Sequence, residues 1–358
     1  MKILSERLKT IRSRGSRVFF TWILSLFLRE KPDVALPHSP KDLCILGQEK
    51  LGDAILLIPL LKSLKLSFSE IRITVLASHR NYRLLSALPW IDETVILPKQ
   101  PVRFFRLLKN RTFDLLYNPK DHPSRTYLLL TVQIRARCKV GYRHALSRKF
   151  YHRSLPVRPA SMIEQNMGIL TLYGVTAVPS VLPSDLPAEN VTEADAFFSS
   201  LQRPVIGLNL SAGSPVREWG LTNCESLIRL IRPDQATIFL TGLPDKFDFM
   251  RRLCDQYAHV TARFSIRNIL ELNACIRNLD CLITPDTSVF HLGQLNGIQT
   301  VGLFQDNPAN LKKFYRQTEN CRLIKSPGID VASIPVESVL QQILSVLGIG
   351  NHENTVSE

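Results

Sequence analysis

Several signatures that announce a cofactor or a metal are missing from this sequence. It has no G-x-G-x-x-G, the glycine fingerprint a nicotinamide oxidoreductase needs, and neither G-x-x-x-x-G-K-[ST] nor H-E-x-x-H. D-x-D is absent too, and with it a carboxylate pair commonly used to hold a metal-bound nucleotide. Seven cysteines form no C-x-x-C pair and no Cys/His ligand spacing, so they spell out neither a zinc site nor a redox motif. Cys44 and Cys281 lie in apolar runs, and the set reads as small buried hydrophobes of a reducing compartment. No repeat of solenoid length and no low-complexity tract interrupts the chain.

Acidic residues are also in short supply: 31 against 45 Lys and Arg, a formal net charge of +14. Such an excess favours polyanionic partners: anionic lipid, phosphorylated glycan, nucleotide or nucleic acid. A nucleic-acid binder would need a basic stripe interleaved with aromatics or a recognisable module, and neither is present. What is there is a globular composition, 45% apolar and 21% charged over 358 residues, a length that suits two domains. Helical and strand-like patterns alternate along it, which predicts an α/β architecture with parallel sheets.

No apolar run is long enough to span a bilayer. The best, Val18–Leu28, would cover roughly 16 Å as a helix, against a hydrocarbon core of about 30 Å. Arg29-Glu30-Lys31-Pro32 follows it, with no small-x-small cleavage site. Residues 1–31 carry eight Lys or Arg and two Glu, a net of 8 − 2 = +6. Two readings fit: an interfacial anchor with its basic residues on lipid headgroups, which the charge favours, or a helix that packs on the protein itself.

The pattern divides the chain into residues 1–37, a basic and apolar N-terminal segment that associates with membrane; 38–180; 181–335; and 336–358, a last amphipathic helix with a frayed tail. Asp42–Leu46, Arg72–Ala77, Thr94–Leu97 and Phe113–Asn118 read as strands. A loop Gly47–Gly52 leads into a helix Asp53–Leu66. Three prolines within Val178–Pro187 mark the interdomain linker. The pattern then restarts with strands Val205–Leu210, Ala236–Thr241, Asp280–Thr284 and Thr300–Phe304, separated by helices at Glu189–Leu201, Asn223–Ile231, Lys246–Tyr257, Ile266–Ile276 and Val289–Asn296.

Three segments can carry chemistry. In Leu51-Gly52-Asp53, Gly52 permits a tight turn and Asp53 stands near the carboxyl edge of the first strand, where open α/β sheets bind ligands. An Asp at that place is as readily a helix N-cap. Ser211-Ala212-Gly213-Ser214, followed by Arg217 and Trp219, offers hydroxyl and amide donors with a cation beside them, a phosphate site or an ordinary polar loop. In Thr284-Pro285-Asp286-Thr287-Ser288-Val289-Phe290-His291 a strand ends and a helix starts near Ser288. Thr287, Ser288 and the helix amides can hold a phosphate, with His291 one turn in. Capping by Asp286 or Ser288 and a satisfied, partly buried His291 is the alternative.

Together and in order, these segments resemble the bacterial heptosyltransferases, glycosyltransferase family 9. The likeness runs from about Leu43 to Phe304: Leu51-Gly52-Asp53 before a helix containing Pro59, a basic residue (Arg217) two positions before Trp219, and Asp286-Thr287-Ser288-Val289-Phe290-His291. The resemblance implies a GT-B fold, two Rossmann-like domains whose parallel sheets face a central cleft, with acceptor on residues 38–180 and nucleotide sugar on 181–335. It implies an inverting, metal-independent transfer of heptose from an ADP-sugar, a co-substrate rather than a cofactor, to a lipopolysaccharide core or related glycolipid. The setting implied is the inner face of the bacterial inner membrane, on its cytoplasmic side. Asp53 would then be the general base, with Lys50 and Gly52 beside the acceptor. Arg217 would stabilise the leaving diphosphate, and Ser211, Gly213, Ser214, Gly242, Asp286, Thr287, Ser288 and His291 would form the donor site. Asp245 would face the nucleoside. The sequence departs from the family's usual Lys at Arg217 and usual Gly at Ser288. Another nucleotide-sugar donor, a capsule acceptor, or a silent membrane-attached binding protein are the competing expectations; retention of Asp53, Arg217 and His291 speaks against the last.

Overall fold

The computed structural model describes residues 19–47, 49–96, 110–157, 161–175, 188–315 and 317–349. The proline-rich segment expected as a linker, most of the expected frayed tail and residues 1–18 of the expected membrane segment lie outside them. The chain divides into two compact units, Met1–Pro179 and Ser180–Glu358.

In the first unit β1 (Asp42–Leu46), β2 (Arg72–Ala77), β3 (Glu93–Ile96), β4 (Phe113–Asn118), β5 (Ala136–Tyr142) and β6 (Arg153–Leu155) form one parallel sheet in the order β3-β2-β1-β4-β5-β6. The second unit repeats that order. Its sheet holds β7 (Val205–Asn209), β8 (Thr237–Thr241), β9 (Val260–Ala262), β10 (Cys281–Pro285), β11 (Gln299–Phe304) and β12 (Cys321–Lys325), arranged β12-β11-β10-β7-β8-β9. The central strands are mostly apolar because helices cover both faces, which leaves little of them facing water. Every residue of β7, β8 and β10 is buried. In each sheet the chain leaves the first strand in opposite directions, so a crevice opens at the carboxyl ends of β1 and β4 in one unit and of β7 and β10 in the other.

The sequence reading joined Asp53 to Leu66 in one helix after a loop ending at Gly52. The structure corrects this. A short helix runs Leu51–Ile55 and a second Ile58–Ser67, with Pro59 in the first turn of the second. A continuous helix would need an N–H at Pro59 to reach Ile55 O, and the ring would crowd that carbonyl. Gly52 and Asp53 are therefore inside a helix, and Gly52 does not adopt a positive φ.

Other elements were not foreseen: β5, β6, β9 and β12, and helices Tyr82–Ala87, Arg125–Gln133, Met162–Asn166 and Gly168–Thr171. Helix Val336–Leu347 belongs to the second unit's core, where Val339 and Ile343 are fully buried with Leu227 and Ile228. Six of the seven cysteines are buried and Cys254 is half-buried.

The N-terminal segment forms a helix over residues 19–26. It packs on the first unit, Leu24 and Leu28 meeting Leu128, Phe150 and Tyr151. Among the described residues no helix is long and apolar enough to cross a membrane.

Candidate active site

The second unit assembles most of the expected residues at the β7–β10 crevice. β7 ends on Asn209, a buried amide that sequence reasoning passed over. Its Nδ2 donates to Thr284 Oγ1 at 2.9 Å, to Ser211 O at 3.2 Å and to Thr287 Oγ1 at 3.4 Å, while its Oδ1 accepts from Ser211 N. One side chain thus ties the loop after β7 to the turn after β10. Ser211 extends the tie to β8: its Oγ accepts from Leu243 N at 2.8 Å. Gly242 keeps that approach uncrowded, since a Cβ there would stand 3.3 Å from Ser211 Oγ and from Lys246 Cβ.

Beyond Ser211 the chain turns through a 3-10 helix, Pro215–Arg217. Arg217 folds back over its own loop. Nε donates to Ser214 Oγ at 3.2 Å, and Nη1 donates to Asp286 O at 2.9 Å and lies 3.5 Å from the Asp286 carboxylate. Gly213 leaves room for this, because a Cβ there would be 2.5 Å from Arg217 Nη2. The carboxylate of Asp286 is buried and also accepts from Asn310 Nδ2 at 2.8 Å. Asn310 comes from helix Pro308–Phe314, a residue no local motif points to.

Helix Ser288–Leu295 begins where the sequence placed it, but its N-cap is Thr287, whose side chain accepts from Val289 N. Capping by Asp286 or Ser288 is thereby replaced: Asp286 is engaged by Arg217 and Asn310 instead, and Ser288 is the first helical residue. His291 is buried against Phe290 and Phe314, and its Nδ1 has no hydrogen-bond partner. It is therefore not the satisfied, partly buried histidine of the alternative reading. Burial holds it below the usual histidine range, with the Asp286 charge acting the other way, so the imidazole is neutral near pH 7.

Asp245 stands apart from this network. Its side chain is 65% exposed and 3.4 Å from Lys246 Nζ, which also reaches Glu218 at 3.2 Å. Lys246 and Glu218 link the turn after β8 to the Arg217 loop, and neither was singled out from the sequence.

Lys50, Gly52 and Asp53 belong to the first unit. Lys50 is the exposed N-cap residue of helix Leu51–Ile55 and makes no side-chain cap. Asp53 is buried in the first helical turn, a favourable place for a carboxylate on the helix dipole. It is not the N-cap, which removes the capping alternative. Nearby, the Tyr127 hydroxyl donates to Gly47 O at the end of β1, and burial, with the Glu49 and Asp53 charges adding, raises its pKa far above the usual tyrosine value. Lys120 Nζ lies 4.9 Å over the Tyr127 ring. Asn118, the last residue of β4, accepts from Lys120 N at 3.1 Å and donates to Tyr151 at 2.9 Å. The run Asn118-Pro119-Lys120-Asp121-His122 at a strand end was the available sequence signal for this second cluster.

Among the described residues no three His, Cys, Asp or Glu side chains gather as metal ligands.

Residues 102–331 match the sequence profile of glycosyltransferase family 9 (heptosyltransferase), a range that contains Arg217, Asp286 and His291 and starts after Asp53. The lipopolysaccharide core heptosyltransferase OpsX of Haemophilus influenzae is 20% identical over 285 residues, 75% of this chain and 80% of the relative. Among solved structures, a family 9 glycosyl transferase from Veillonella parvula superposes with a TM-score of 0.72 at 19% identity, covering 88% of this chain and 99% of that one. The Escherichia coli heptosyltransferase WaaC with ADP superposes at 0.66 and 14% identity, covering 85% and 99%.

Proposed function

The chain belongs to glycosyltransferase family 9, and from that membership we propose that it moves a heptose from an ADP-sugar to a lipopolysaccharide core acceptor, with inversion and without a metal. The second unit takes the donor. The observation that carries this reading is Arg217 locked across its loop onto Asp286, which sets a guanidinium beside the start of helix Ser288–Leu295. A leaving diphosphate gains from both a bidentate cation and helix amides. WaaC, solved with ADP, and OpsX, named for the lipopolysaccharide core, support the donor and acceptor classes.

In this mechanism Asp53 accepts the proton of the acceptor hydroxyl as its oxygen attacks the anomeric carbon. The bond from that carbon to the diphosphate oxygen breaks as the new glycosidic bond forms. Arg217 and the Thr287–Ser288 turn take up the charge left on the diphosphate. Gly52 and Lys50 border the acceptor, and Asp245 the nucleoside. Buried, neutral His291 fills the space beside Asp286 without adding a second positive charge. The enzyme works at the inner face of the bacterial inner membrane, held peripherally through residues 1–31.

The test is turnover of ADP-heptose with truncated lipopolysaccharide acceptors by the wild type and Asp53→Asn. Release of ADP by the wild type, reduced at least about a hundredfold in the variant, supports the reaction and the base assignment. Equal release by both removes Asp53 from the chemistry. No release by a folded protein that still binds ADP overturns the heptose donor.

A further inference from the structure

The helix over residues 19–26 is inverted relative to a helix that faces water. Its two hydroxyl residues are turned inward: Thr21 and Ser25 are each 4% exposed, with Ser25 Oγ donating to Trp22 O at 2.7 Å. Most of the large apolar residues of the helix and of the turn that follows it face outward. Phe19, Trp22, Leu26 and Phe27 are 62%, 51%, 61% and 82% exposed, and Ile23 is exposed with them. A contiguous apolar patch of this kind marks an interaction surface, unlike the exposed hydrophobics scattered elsewhere on the chain.

The patch is docked on the first unit. Leu24 and Leu28 are half-buried against its Leu128, Phe150 and Tyr151, Lys149 Nζ donates to Leu28 O at 2.8 Å, and Lys31 N donates to Arg148 O at 2.7 Å. The Arg125 guanidinium lies 5.6 Å over the Phe20 ring. These anchors bring cations to the rim, since Arg29, Arg125 and Arg148 are exposed. Within the same stretch of sequence Glu30 is the acidic counterpart. An aromatic centre with a basic border complements an anionic bilayer surface: rings among the headgroups and upper acyl chains, guanidinium groups on the phosphates.

We propose that Phe19, Trp22, Ile23, Leu26 and Phe27 form a membrane-facing plate, fixed to the first unit, that inserts into an anionic phospholipid leaflet. The proposal deepens the peripheral attachment put forward above and rests on it. It replaces a free tether with a docked element, so the first unit meets the lipid surface in one orientation. The sequence alternatives, anchor or docked helix, are then one device with two faces.

The test uses the full chain and vesicles of phosphatidylcholine with or without one-quarter phosphatidylglycerol, with no sugar substrate present. Binding by the wild type to the anionic vesicles, weakened at least tenfold in Trp22→Ser/Phe27→Ser and in Arg125→Glu/Arg148→Glu, supports the plate. Both variants change exposed side chains, and a thermal melt checks that each folds. Equal binding by wild type and the Trp22→Ser/Phe27→Ser variant overturns the proposal, as does a wild-type dimer that this variant converts to monomer, which assigns the patch to a second copy of the chain. Turnover with a delipidated acceptor, measured separately, is unchanged in the Trp22→Ser/Phe27→Ser variant. The vesicle result stands whatever that assay says of the donor sugar.

Discussion

Arg217 and Asp286 are joined twice through one nitrogen: Nη1 donates to the Asp286 carbonyl at 2.9 Å and lies 3.5 Å from its carboxylate. Removing the side chain deletes the cation proposed to face the diphosphate and releases the turn before the helix. Arg217→Ala lowers kcat by about 10²–10³, the range for losing one preorganised charge donor. Arg217→Lys keeps the charge but cannot serve Ser214 and Asp286 together, and falls between the two. Steady-state kinetics with ADP-heptose check both, and an unaltered rate in Arg217→Ala removes this residue from the mechanism.

Gly213→Ala tests the same guanidinium without touching it. The new methyl would meet Arg217 Nη2 at 2.5 Å. A flexible side-chain end can move away, so the folding cost stays below about 1 kcal/mol. The displaced cation lowers kcat/KM roughly tenfold or more. A melt and a kinetic run on one preparation separate the two effects; a wild-type rate means that the position of the guanidinium does not matter.

Asn209→Ala acts on folding and site together. It strips the amide that satisfies Thr284 Oγ1 and Ser211 O in a buried place. The loss should cost about 1–3 kcal/mol, read as a lower urea midpoint, with a raised KM for the donor as the Ser211 loop loosens. An unchanged midpoint would mean that solvent or a neighbour replaces the amide.

Acid should weaken the fold before it protonates the carboxylates. Burial lowers the pKa of His144 to about 4 from 6.5, and its Nε2 has no partner; burial also lowers that of His291. For His144, the unfolded chain takes up a proton between pH 6.5 and about 4 that the folded chain refuses. Stability is therefore complete above pH 6.5 and declines as pH falls through that window, by roughly 1–2 kcal/mol after allowing for its partial exposure. Urea titrations at pH 7.5 and 5 measure the decline, and His144→Phe makes it shallower by the share of that residue. A slope unchanged by the substitution assigns the acid sensitivity to other groups.

Elements whose apolar pattern has a single structural explanation were legible in the sequence. β1, β7, β8, β10 and β11 are short runs buried on both faces, and each was found within a residue or two. β5 and β12 were hidden by charges: Lys139 is buried in mid-strand with Nζ donating to Thr131 O and Val132 O, and Arg322 lies exposed on an outer strand. β6 and β9, at three residues each, carry too little pattern. The Pro59 break was readable in principle, since the proline was visible and only its position in the turn decided between a kink and a new start. The site divides in the same way. Arg217, Asp286 and Thr287 sit in local motifs. Asn209 bonds to a partner 75 residues away, and Asn310 to one 24 away. Spacing within a motif says nothing of partners across a sheet.

The doubled strand order has a consequence for how such a chain can diversify. Each sheet draws all its strands from its own unit, so neither borrows hydrogen bonds from the other's sequence. The loops after β7, β8 and β10 lean on Asn209, Ser211 and Asn310, all encoded after residue 188. None of those hydrogen bonds is drawn from the residues around Asn118, Lys120 and Tyr127. The fold is thus two separately editable cassettes: under the function proposed above, one can drift toward new hydroxyl-bearing glycans while the other keeps a fixed nucleotide chemistry.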